Sequence, residues 1–198
     1  EKYTGEYDGY MEKLLQRIHG RGHEIGLHTH PYHGKNSSFP IGLHRLDFAA
    51  QKKVLSEGME FIYDATGRFP IAHRGGAYSC NEETFQALAE LGFRVDSSVY
   101  YGTNDSVLNG FPSYFTINQT RMHQGILEVP VINFFNEKGE LTKFDSNSMT
   151  EGEFVAVLEA MKQRGDFPVA QMMLHSFSFL DQQWKADRPG KKPVYVAG

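Results

Sequence analysis

At 198 residues the chain is long enough for one domain with a real core and too short for two ordinary ones. Apolar residues at 40%, with fifteen Phe and ten Tyr against 22% charged residues, exclude intrinsic disorder and call for a packed interior. A formal net charge of −4 with no Lys/Arg block excludes non-specific nucleic-acid binding and an anionic membrane surface as the main partner.

Over residues 8–20, Met11, Leu14, Leu15 and Ile18 recur at i, i+3, i+4 and i+7, which predicts a helix ending at the glycines Gly20 and Gly22. Residues 23–28 are too few for a helix and read as a strand. A loop rich in Gly, Asn, Ser and Pro follows over 34–42. Residues 44–66 place Phe48, Leu55, Met59 and Ile62 on one helical face that stops at Gly67, the longest helix expected. Residues 69–74 read as a strand, Gly75 and Gly76 as a turn, and 82–91 as a helix capped by Asn81 or Ser79, with acids in its first turn where the helix dipole favours them. A strand over 93–97 comes next.

Residues 100–125 show no clear period, as expected of a long functional loop or small hairpins. Residues 127–135 read as a strand whose internal Pro130 suggests an edge or a bulge. Thr150 and Glu153 form a capping-box pattern ahead of a helix carrying Phe154, Val157, Leu158 and Met161 and ending at Gly165. The apolar run over 169–175 is expected to be a strand buried on both faces. Residues 185–198 are basic and contain proline, as a surface segment would.

The single cysteine, Cys80, leaves no internal disulfide and no Cys-based zinc knuckle. No apolar run approaches the roughly 20 residues a membrane helix needs. The chain starts at Glu1 and enters a helix almost at once, so a segment of a longer protein is expected; compartment and oligomeric state stay open.

Strands and helices alternate as in parallel βα units, giving an α/β fold. His28, His30, Arg74, Asp96 and His175 are distant in sequence, yet all fall at or just past the ends of predicted strands. In a parallel sheet or barrel those ends share one rim, where such folds place their sites. Three imidazoles within six residues, His28, His30 and His33, suit a divalent cation such as zinc, which binds neutral imidazole nitrogen at ~2.0–2.1 Å. His28 and His30 share one side of a strand by the period of two, while a turn at Pro31 allows His33 to fold back instead. His23 and His28 are one residue too far apart for a zincin helix, and Gly20–Gly26 precedes a strand rather than following one, which removes the logic of a dinucleotide loop.

Five ordered stretches carry a wider likeness: Gly22-His-Glu-Ile-Gly-Leu-His-Thr-His-Pro31, Ala72-His-Arg-Gly-Gly76, Leu91-Gly-Phe-Arg-Val-Asp-Ser-Ser98, Glu128-Val-Pro130 and Leu174-His-Ser176. Over roughly residues 8–178 the chain resembles the polysaccharide deacetylase family, the NodB-homology group also called carbohydrate esterase family 4. The resemblance implies a single domain over 1–198 with a distorted (β/α) barrel lacking its first strand, a divalent metal held by one Asp and two His, and hydrolysis of N- or O-acetyl groups on sugars. It implies that His28 is a metal ligand, with His30 or His33 as the second imidazole, because the family's usual position four residues on is Tyr32 here. It makes Arg74 the arginine that steadies a catalytic aspartate, His175 the general acid, and Asp96 an orienting partner of His175 or part of the pocket lining; an ordinary turn-starting Asp is the alternative for Asp96. The family's Asp-Asp motif would precede residue 1, so the segment by itself is expected to lack two essential carboxylates. A metal-dependent hydrolase of a small amide and a non-catalytic binding module are the two rival readings.

Overall fold

The computed structural model describes residues 9–31, 42–100, 118–136, 138–145, 149–164 and 169–174. The chain divides into two compact units, Glu1–Val131 and Ile132–Gly198.

In the first unit, helix α1 (Tyr10–His19) closes on Gly20, whose N–H donates to the Gln16 carbonyl at 2.8 Å. Strand β1 (Leu27–Thr29) follows, shorter and later than the 23–28 the sequence suggests. A short 3-10 turn, Leu43–Arg45, then precedes α2 (Phe48–Thr66). The helix begins at Phe48 because Asp47 caps it, its carboxylate accepting from Ala50 N–H at 2.9 Å. It ends at Gly67, which takes the left-handed φ of 72° that glycine adopts without strain. Its buried face is Gln51, Leu55, Met59, Ile62 and Ala65. Gly58 lets the helix lie close on β1, since a Cβ there would stand 2.6 Å from Leu27 Cδ1.

Strand β2 (Ala72–Gly75), helix α3 (Glu82–Glu90) and strand β3 (Val95–Asp96) complete two βα units. Asn81 and Thr84 cap α3 reciprocally, each side chain accepting from the other's backbone N–H. Strands β4 (Arg121–His123) and β5 (Ile126–Glu128) form a hairpin. The sheet order is β1-β2-β3-β5-β4, parallel except for the β4 edge, and among the described residues it is open. The core beneath it gathers Leu27, Leu55, Phe85, Leu88, Phe93 and Ile126, all buried.

The second unit holds a two-stranded antiparallel sheet, β6 (Asn133–Phe135) and β7 (Leu141–Lys143), and helix α4 (Glu151–Arg164). The single strand expected over 127–135 is therefore two strands in two sheets. Pro130 has no N–H to continue a ladder; β5 ends at Glu128, although Val131 N–H still reaches the Val99 carbonyl at 2.9 Å. Phe144 and Phe154 stack at 5.0 Å in this unit's core with Ile132 and Val157. The run 169–175, expected as a strand buried on both faces, makes only a bridge between Met173 and Asp145 within its described part. Val169, Met172 and Leu174 are 42%, 37% and 44% exposed. No described helix is long and apolar enough to cross a membrane.

Candidate cation site at the strand ends

The parallel register brings the predicted residues of the first unit into one row. His28 stands beside Arg74, and His73 beside Asp96, which in turn pairs with Glu128. Alternation sorts their side chains: Leu27 and Thr29 are buried while His28 between them is exposed. His30 continues on the side of His28.

His28 Nδ1–H donates to the Arg74 carbonyl at 2.8 Å, which fixes the tautomer and leaves the Nε2 lone pair facing outward. His30 Nε2 meets that lone pair at 2.9 Å, with the two rings nearly perpendicular at 84°. One imidazole N–H bridges the pair. Two nitrogens held ~2.1 Å from one tetrahedral ion would be about 3.4 Å apart, so the rings need separate by only ~0.5 Å to share a cation. A carbonyl-anchored Nδ1 is also the usual outer-shell partner of a metal-binding histidine. The donor set therefore fits two of the imidazole positions. Among the described residues no group of three or more His, Cys, Asp or Glu side chains converges to complete it. Burial lowers the His28 pKa, the Arg74 carbonyl bond opposes, and the charges of His30, His73 and Arg74 lower it further, so the ring is neutral and ready to donate near pH 7.

The turn after Arg74 is shaped around His30. A Cβ on Gly76 would collide with His30 Nδ1 and stand 2.5 Å from the Thr29 carbonyl oxygen, so only glycine fits. Ala77 and Tyr78 follow with φ of 51° and 59°, left-handed values that cost a non-glycine residue about 1–2 kcal/mol each. Such outliers concentrate where a chain is held for a purpose. The Arg74 guanidinium donates to Ser97 twice, to its carbonyl at 2.9 Å and its hydroxyl at 2.8 Å.

Beneath this rim lies a buried polar cluster of which the sequence flagged only Asp96. The Asp96 carboxylate is 0% exposed and accepts from His73 Nδ1 at 2.7 Å, from Ser98 N–H at 2.9 Å and from Ser98 Oγ at 2.9 Å. The Ser98 backbone bond is the local turn that a turn-starting Asp makes; the His73 bond ties it to β2. Glu128 accepts from Val99 N–H at 2.9 Å. Its buried Oε2 makes no bond of hydrogen-bonding geometry, yet stands near enough to Asp96 for two charges to repel. Burial and the Asp96 charge together push the Glu128 carboxyl well above its usual value. Burial works against Asp96 as well, but the His73 bond and charge, with the neighbouring Glu128 carboxyl and the Ser98 bonds, hold it net below its usual value. Of the two acids, Glu128 is the one pushed toward its protonated form. Cys80 is fully buried and burial raises its thiol, so it is inert packing.

An acid whose folded pKa is raised contributes stability that is complete below its unfolded pKa of ~4.3 and is lost as pH climbs toward the folded value. Glu128→Gln keeps the Val99 bond and cannot ionise. It is expected to match the wild type in thermal midpoint near pH 4 and to gain on it steadily from pH 5 to 8. Melting curves across that range check this, and a constant difference at all pH values would show that Glu128 is not the protonated partner.

His33 and His175 lie outside the described residues, so the choice between His30 and His33 is informed only by the approach of His30 to His28. His73, Glu128, Thr29 and Gly76 were not singled out by sequence. The available signal was alternation: His73 and Glu128 occupy inward positions of short strands, where a polar side chain must find partners.

No protein-family model matches the sequence, and no curated protein sequence matches it. The structure is similar to a crystal structure described as a "putative polysaccharide deacetylase" from Mycobacterium smegmatis, with a TM-score of 0.52 and 20% identity, covering 81% of this chain and 53% of that one. The present chain spans about half the length of that protein, and the likeness is one of fold: a mixed α/β domain with a parallel sheet, as in polysaccharide deacetylases.

Proposed function

We propose that the protein is a hydrolase of the polysaccharide deacetylase type, removing acetyl groups from an N- or O-acetylated sugar with the help of a divalent cation, zinc by preference. The observation that carries this reading is the convergence of His28 Nε2 and His30 Nε2 at 2.9 Å, with His28 locked from behind by the Arg74 carbonyl. The fold likeness supports it, and closure of the sheet into that family's distorted barrel is part of the proposal.

His28 and His30 would hold the cation, His30 being favoured over His33 by its approach. When bound, the cation supplies Lewis-acid polarisation of an acyl carbonyl and acidifies water. Arg74, anchored on Ser97, offers its guanidinium to the carboxylate of the Asp-Asp motif that the family resemblance places ahead of residue 1. That motif would supply the general base. Asp96, wholly buried, acts through His73 and Ser98 rather than touching substrate. His175 as imidazolium delivers a proton to the departing amine, a step typically worth ~10²–10⁴-fold.

In the full-length protein, His175→Ala is expected to cut acetate release from N-acetylated glucosamine oligomers by ~10²–10⁴-fold while zinc content stays unchanged. Unchanged turnover would remove the general-acid role. No acetate released by the wild type from N- or O-acetylated glycans would remove the proposed activity.

A further inference from the structure

The strands enter the sheet at the end opposite the cation rim, and there the chain before β1, the chain before β2 and the ends of α1 and α2 enclose a cleft of about 460 Å³. Two turns build its walls. After α1, Gly22 takes a φ of 85°, free of strain for glycine, and its N–H donates to the His19 carbonyl at 2.9 Å. The chain folds back, so His19 and His23 line the same cleft. After α2, Thr66 Oγ1 donates to the Ile62 carbonyl at 2.7 Å and accepts from Arg68 N–H at 3.2 Å, fixing the turn that brings Arg68 and Phe69 into the lining. Glu24 lines it too. Among the described residues the side chains of His19, His23, Glu24 and Arg68 make no hydrogen bond or ion pair. Phe69 is 54% exposed and stacks on Tyr63 at 4.3 Å with 17° between the ring planes, while Ile71, also in the lining, is 41% exposed.

The volume falls in the ~300–1,000 Å³ range of small-ligand sites, and the lining narrows the class of occupant. An apolar occupant would leave a guanidinium, two imidazoles and a carboxylate unpaired, and a simple anion would meet the charge of Glu24. A sugar ring satisfies both halves of the surface. Its C–H face lies on an aromatic ring, and its hydroxyls, each both donor and acceptor, suit Arg68, Glu24 and the imidazoles. We propose that this cleft is a second saccharide subsite, holding a short stretch of an acetylated glycan by stacking on Phe69 and by hydrogen bonds to Arg68, Glu24, His19 and His23. The choice of an acetylated glycan rests on the hydrolase reading above; the cleft itself needs no cation. Ile25 and His30 are separated by roughly 16 Å of extended chain, so the cleft retains the polymer and takes no part in the chemistry at the rim.

The test titrates the full-length protein with N-acetylglucosamine trimer and follows the Ile71 methyl and Phe69 ring signals by NMR. Both should shift in the wild type. Read at Ile71, Phe69→Ala is expected to weaken trimer binding roughly 3–10-fold, while Phe69→Trp, which keeps a stacking face, stays close to wild type. Arg68→Gln is expected to weaken it roughly 10-fold by removing a charged donor. Both side chains are exposed, so the melting temperature should hold in each variant. With a long acetylated glycan as substrate, Phe69→Ala should raise KM and leave kcat unchanged. Signals at Phe69 and Ile71 that do not move with the trimer, or an Ile71 response identical in wild type and Phe69→Ala, would overturn the subsite. A larger response to inorganic phosphate than to the trimer would reassign the cleft to an anion and overturn it as well. Trimer binding at the cleft of a protein that releases no acetate would keep the subsite and remove the hydrolase reading; acetate release with no response at the cleft would do the reverse.

Discussion

His28→Ala in the full-length protein is expected to abolish most acetate release, by on the order of 10³-fold, since a Lewis-acidic cation supplies several kcal/mol to the transition state and each 1.36 kcal/mol is a factor of ten. The side chain is exposed on β1, so its loss leaves the core intact and the melting temperature close to wild type. The effect has two sources. One nitrogen donor disappears, and the Arg74 carbonyl loses the ring that it orients, so His30 loses its 2.9 Å contact with His28. Zinc retention through desalting should fall in step with activity. Full activity with undiminished zinc would mean that the cation, if any, is held elsewhere.

Phe85→Ala should be the most damaging single change to stability in the first unit. Phe85 is 0% exposed on α3, packed among Leu55, Leu88 and Ile126 with its ring edge-on to His123 at 4.9 Å. Truncating a buried Phe removes its transfer energy and leaves a cavity, about 3–5 kcal/mol together, against a total stability of ~5–15 kcal/mol for a typical domain. At about 2–4 °C per kcal/mol for a chain of this size, the melting temperature should drop by roughly 6–20 °C. Met122→Ala, at an exposed position on β4, serves as control and should change stability by no more than ~0.5 kcal/mol. Equal effects at both positions would contradict the core described for this unit.

The helices were legible because their ends are chemically marked. Asp47 and Gly67 bracket α2, and Asn81 with Thr84 starts α3, so periodicity and caps agree. The sequence places the start of α2 near His44, whereas the helix begins at Phe48, because Leu43–Arg45 is a separate 3-10 turn cut off by the Asp47 cap. Strands were found by type and missed by extent. Apolar content over 93–97 marks a buried segment, while ladder bonds define only Val95–Asp96. The run 169–175 departs from expectation for a related reason: an apolar string reads as burial on both faces, yet Val169, Met172 and Leu174 are exposed where described. In the site, His28 and His30 were visible because two imidazoles at a spacing of two on a strand share a side. His73 and Glu128 were invisible because their meaning lies in pairings across 23 and 29 residues, with Asp96 and with Val99, which no local pattern carries. Gly76 stood out only as a turn residue; that its missing Cβ makes room for the His30 ring follows from the fold alone.

The most direct measurement is zinc-edge X-ray absorption on the full-length protein loaded with one equivalent of zinc. Multiple scattering from imidazole should report at least two histidine rings at ~2.0–2.1 Å, and His28→Ala should remove one of them. A first shell of oxygen alone, or an imidazole count unaffected by His28→Ala, would contradict the account.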